Sequence, residues 1–87
     1  MVIQQLIWDA ENRAHIALHT VTPREVEEAC HNQYGIVQSF RKRILVRGKT
    51  NAGRDLEIVL SPEDKNGQPY GNDTYYVITA YERGVRP

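Results

Sequence analysis

Little in this 87-residue chain lends itself to cross-linking, anchoring or export. Cysteine occurs once, at Cys30, which excludes an internal disulfide and fits a reducing compartment. No stretch approaches the roughly 18 consecutive apolar residues needed to span a bilayer. The N-terminus MVIQQLIWDA shows no basic leader ahead of an apolar run, so no secretory signal is read there. A cytoplasmic protein with no membrane partner is the expectation. An excess of charge is also lacking: 11 basic and 11 acidic side chains cancel, which on its face argues against a nucleic-acid partner. No convincing metal motif is present. His15 and His19 lie one turn apart with Glu11 extending the stripe, but His-Ile-Ala-Leu-His lacks the catalytic glutamate of a zinc-protease helix. That stripe reads as a polar helix face, with no metal and no cofactor expected.

What is present is an uneven distribution of charge. Residues 41–54 hold Arg41, Lys42, Arg43, Arg47, Lys49 and Arg54 and no acidic side chain. A local field of this kind attracts phosphate even on a neutral molecule. The length allows one domain, 1–87, with one helical layer against one sheet. Residues 2–8 read as a short strand. Asp9 is placed to cap a helix over 10–19, with Ala14, Ala17, Leu18 and Val21 at the spacing of one buried face. Thr22-Pro23-Arg24-Glu25 is a helix start with a capping box. The second helix runs to about His31 and turns Val26, Ala29 and Cys30 inward, and Asn32 to Gly35 end it. An extended stretch over 36–40, a strand over 43–50, a turn at 51–54 and a strand over 55–60 follow. Residues 61–74 form a polar loop. Residues 75–81 form the last strand, and 84–87 a frayed tail. The order β-α-α-β-β-β implies an α+β fold, two helices on one face of a mostly antiparallel sheet of 3–4 strands.

The corners of this layout carry a resemblance. Trp8-Asp9 closes the first strand. His19-Thr20-Val21-Thr22 joins the helices and leads into the acidic segment 25–29. Gly48, Thr50, Gly53 and Arg54 make a basic hairpin, and Ile78-Thr79-Ala80 lies in the last strand. In this order the residues resemble the BrnT toxins of bacterial type II toxin–antitoxin systems, within the RelE-like and barnase-like ribonuclease group. The resemblance covers most of residues 6–83. It departs at Tyr81, where BrnT toxins place arginine, and in lacking their further C-terminal helix; Thr-Ala-Tyr is similar to strands of the wider nuclease group. The resemblance implies a RelE-like fold and a metal-independent ribonuclease that blocks translation. Its partners would be RNA, specifically mRNA, and a cognate antitoxin protein; self-association is also admitted.

Such chemistry drives the ribose 2′-OH against its own phosphate. It needs a base, an acid and cations around the phosphorane. His19, Arg54 and Tyr81 are the catalytic candidates. His19 matches the family position and ends the first helix, where a cation also suits the dipole. Arg54 could fork onto a phosphate from the hairpin, or be a hairpin arginine without a partner. Tyr81 could stack a base or donate a proton, or simply cover sheet surface. Arg41, Lys42, Arg43, Lys49, Thr79 and Arg83 are the RNA-binding candidates; Arg41, Lys42 and Arg43 are read as alternating along one strand, so all three cannot serve one groove. Alternation places Ile78 and Ala80 toward the helices and Thr79 and Tyr81 on the open face. His31 reads as surface, Trp8 as core, and Cys30 as buried and inert. Two other functions compete: a catalytically silent binding module for an antitoxin-like protein or RNA, and a small metal-binding regulator through Glu11, His15 and His19.

Overall fold

Both helices begin where side chains can satisfy the first free amides. Asp9 caps α1 (Ala10–Ala17): its carboxylate accepts from the Asn12 amide at 2.8 Å, and the Asn12 side chain accepts from the Asp9 amide at 2.9 Å. Thr22 and Glu25 form the same reciprocal box on α2 (Pro23–His31), with Pro23 in the first turn. The computed structural model describes residues 1–38 and 40–84. Of the expected tail, 85–87 lie outside the described residues, as does Ser39.

The strands are β1 (Gln5–Ile7), β2 (Gln33–Gln38), β3 (Ile44–Lys49), β4 (Asp55–Ser61) and β5 (Thr74–Glu82). They form one sheet in the order β1-β5-β4-β3-β2, with β1 parallel to β5 and every other pair antiparallel. The α+β architecture with two helices is thus present. The sheet has five strands rather than 3–4, because β1 joins it beside β5 and residues 33–38 extend instead of ending α2 in a turn. The hairpin between β3 and β4 closes through Thr50: its amide donates to the Arg54 carbonyl at 2.8 Å, its hydroxyl accepts from the Arg54 amide at 3.0 Å, and Gly53 supplies a φ of +89°.

Four expectations are corrected. Ala14, Ala17 and Leu18 do not form the buried face of α1; they are exposed, and Asn12 and Ile16 are buried instead. A polar residue can occupy the core there because Asn12 Nδ2 donates to the Ile7 carbonyl at 2.9 Å and the Val77 carbonyl at 3.0 Å. These carbonyls lie where β1 stops pairing with β5. Arg41 and Lys42 are not on a strand: they lie in the short turn Phe40–Lys42, with left-handed φ values of 60° and 63°. Arg43 precedes β3. Ile78 is not in the buried core layer; it stands across a crevice from α1. A β-bulge opposite Val59 and Leu60 inserts one residue into β5, so Val77 and Ala80, three apart, are both fully buried. Ile78 and Thr79 therefore share the outward side with Tyr76 and Tyr81.

The core lies between the sheet and α2, centred on Val26 and Ala29 above Val46, Leu56 and Ile58. Gly48 sets the spacing, since a Cβ there would overlap the Ala29 carbonyl. Cys30 is buried in this layer, and burial pushes its thiol up to about 12, with Glu27 adding to the effect. Trp8 packs partly buried against the core and donates from Nε1 to Glu27 at 3.0 Å. No helix of the described residues is long and apolar enough to cross a membrane.

Candidate functional site

The hairpin fixes the register of β3 on β4, so residues equidistant from it face each other: Lys49 opposes Asp55, and Arg47 opposes Glu57. Tyr81 opposes Glu57 from β5. Because Val46, Ile58 and Ala80 point into the core, Arg47, Glu57 and Tyr81 stand on the open face. Arg47 Nε donates to Glu57 at 3.0 Å, the only hydrogen bond its guanidinium makes among the described residues. Glu57 is only 8 % exposed. The row ends at the loop after α1: the His19 ring lies 6.3 Å from the Tyr81 ring, edge to face, and the His15 ring lies 5.6 Å from His19.

A second polar cluster occupies the end of the same face. Tyr34 donates to Asp55 at 2.7 Å, Arg83 donates to the Tyr34 hydroxyl at 2.9 Å, and Lys49 lines the same depression. The Tyr34 hydrogen bond, with the nearby Asp55 charge, raises the pKa of Arg83.

Beyond Tyr81, a crevice of about 560 Å³ separates α1 from the bulge. Glu11, His15 and Leu18 form one wall, and Tyr76, Ile78 and Thr79 form the other. The Thr79 hydroxyl is buried without a hydrogen-bond partner among the described residues. Tyr76 donates to the Asp9 carboxylate at 3.0 Å. Burial and this contact push the Tyr76 phenol up to about 12. The Asn12 amide in turn lowers the pKa of Asp9.

Arg54 lies elsewhere. Its Nε donates to Glu82 at 2.8 Å, and Nη1 reaches Glu25 at 3.1 Å and the Thr20 carbonyl at 2.6 Å. Glu82 alternates with Tyr81 along β5, so Arg54 and Tyr81 serve opposite sides of the sheet. Arg54 also holds Thr20, whose φ of +57° is unusual for a β-branched residue. Burial works against the Glu25 charge, but the Thr22 amide and Arg54 outweigh it and lower its pKa.

The site candidates therefore divide. His19 and Tyr81 come together, Thr79 lies one turn of the pleat away, and Lys49 and Arg83 share the neighbouring depression. Arg43, just before β3, lines a crevice with Lys65 and Tyr70 that shares Tyr76 and Ile78 with the one beside α1, and Arg54 is bound by carboxylates. From Arg47 onward the basic run does not make a basic surface, because Glu57, Asp55, Glu25 and Glu82 are set against it; Arg41, Lys42 and Arg43 stay exposed before β3. Arg47 and Glu57 were not among the sequence candidates. Their signal was opposite charges at equal distance from the turn. Among the described residues no cluster of three His, Cys, Asp or Glu side chains is placed to hold a metal ion. No family model, curated protein or solved structure matches the chain.

Proposed function

We propose that the open sheet face binds single-stranded RNA and that the chain is a toxin-like, metal-independent ribonuclease. The observation that carries this is the approach of His19 to Tyr81 at 6.3 Å, on the face where Arg47 and Glu57 are paired. In this mechanism the ribose 2′-oxygen loses its proton and attacks the adjacent phosphorus, and the 5′-oxygen leaves with a proton. His19 takes up the 2′-hydroxyl proton and returns one to the leaving 5′-oxygen. Tyr81 stacks on a base beside the scissile phosphate. The outer nitrogens of Arg47, oriented by Glu57, meet the phosphorane charge. Arg54 is a positioning residue that fixes the turn carrying His19. The resemblance to BrnT toxins supports mRNA as substrate, a cognate antitoxin as inhibitor and a cytoplasmic site of action.

The test is incubation of the purified chain with single-stranded RNA in the presence of a chelator. Cleavage is expected, with none of the matching 2′-deoxy strand. His19→Gln should lower the rate by about 10²-fold or more, and Tyr81→Ala should weaken binding. Neutral net charge and the near-burial of Glu57 favour a second reading, a binding module without catalysis. RNA retained but uncut by the wild-type chain supports that reading. Neither binding nor cleavage overturns both.

A further inference from the structure

The strand β2 is the last in its sheet, and among the described residues no other strand covers its outer edge. Exposed edges of this kind are usually protected by lysine, proline or charges that prevent pairing. Here residues 29–40 contain no Asp, Glu, Lys, Arg or Pro. Instead the strand presents apolar side chains on both faces, with Ile36 45 % and Val37 46 % exposed. One row of the helix-facing layer runs Ile36, Val46, Ile58, Ala80 across the sheet. Its inner three members are fully buried, whereas Ile36 projects from the edge with its outer side uncovered.

We infer that this edge pairs with the same edge of a second copy, antiparallel about a two-fold axis through Ile36, to give one continuous sheet. Directly opposed residues of antiparallel strands lie on the same face. Ile36 then meets Ile36 of the second copy and continues the core row. Val37 meets Gly35 of the second copy, whose missing side chain leaves it room. The ends match in charge as well. The turn after β2 carries Arg41, Lys42 and Arg43, and β2 is preceded by the C-terminal end of α2 with Glu27 and Glu28. Antiparallel pairing sets each basic turn beside the negative end of the other copy's helix dipole. The regular stretch is short because a register shift interrupts the ladder between Gln33 and Gly35. The contact thus falls below the roughly 1,200 Å² of a standard interface, and the dimer is concentration-dependent. The open face stays accessible on both copies, so the inference is independent of the proposed catalysis.

Sedimentation velocity on the intact chain, from micromolar to millimolar concentration, tests it. The mass should rise from 10.0 kDa toward twice that value, and amide exchange at 35–37 should slow in parallel. Ile36→Lys and Val37→Lys, on opposite faces of the strand, should each hold the chain at monomer mass with an unchanged circular dichroism spectrum. Leu18→Lys, at an exposed apolar residue far from this edge, should dimerise like wild type. Should Ile36→Lys fail to fold, Val37→Lys decides alone. A monomer throughout the range, or a dimer that survives Val37→Lys, overturns the inference.

Discussion

Replacing Arg54 with alanine removes the clamp that joins α2, the turn after α1 and the end of β5. Three partners lose their donor: the Glu25 and Glu82 carboxylates and the Thr20 carbonyl. The carboxylates are partly solvated, with side chains 27 % and 42 % exposed, so screening discounts each ion pair. About 0.5–1 kcal/mol for each pair and about 1 kcal/mol for the carbonyl give roughly 2–3 kcal/mol. At about 4–8 °C per kcal/mol for a domain of this size, the melting temperature should fall by about 10–20 °C. Thermal unfolding followed by circular dichroism at neutral pH measures this. The pH dependence has a fixed sign. The Glu25 carboxyl titrates below its ordinary 4.5 in the folded chain, so its contribution is complete above that value and lost as pH falls through the folded-state value. The gap between wild type and Arg54→Ala should therefore narrow in acid. A shift under about 3 °C at neutral pH, or a gap that widens in acid, refutes the clamp.

Three further perturbations follow from the packing. Gly48→Ala forces a methyl group into the Ala29 carbonyl; a loss of about 3 kcal/mol in urea unfolding is expected, and a neutral effect would show that α2 lifts freely. Asn12→Ala leaves the Ile7 and Val77 carbonyls without their donor; it should cost about 1–3 kcal/mol by the same assay, and Asn12→Leu should not restore it. Cys30, its thiol pushed up to about 12 by burial, should resist a thiol reagent at pH 8 until denaturant is added; rapid labelling of the folded chain would contradict its placement.

The helix starts were legible because capping is local: Asp9 with Asn12 and Thr22 with Glu25 lie three residues apart and need nothing distant. The β3–β4 hairpin was legible for the same reason. The buried face of α1 was not, because Asn12 is stabilised by carbonyls of β1 and β5, and the latter is 65 residues away in the chain. Apolar spacing alone favours Leu18, which in the fold is 79 % exposed. The candidate site was half legible. His19 and Tyr81 are unconnected candidates in the sequence, and their approach depends on where α1 ends against β5. The ion pairs of Arg54 are not legible in the sequence, since Glu25 and Glu82 are distant from it along the chain.

The extra residue in β5 acts like a vernier between two scales. Before the bulge the buried residues are Tyr75, in part, and Val77; after it the phase shifts, and Ala80 is buried. An ordinary alternating strand can slide by two residues and still present an apolar face. This one cannot, because any slide brings the phase break opposite the wrong part of β4 and turns an apolar side chain outward or a polar one inward. The strand therefore has a single alignment on its neighbour. The spacing between Tyr76 at one end and Tyr81 at the other is fixed to the same accuracy.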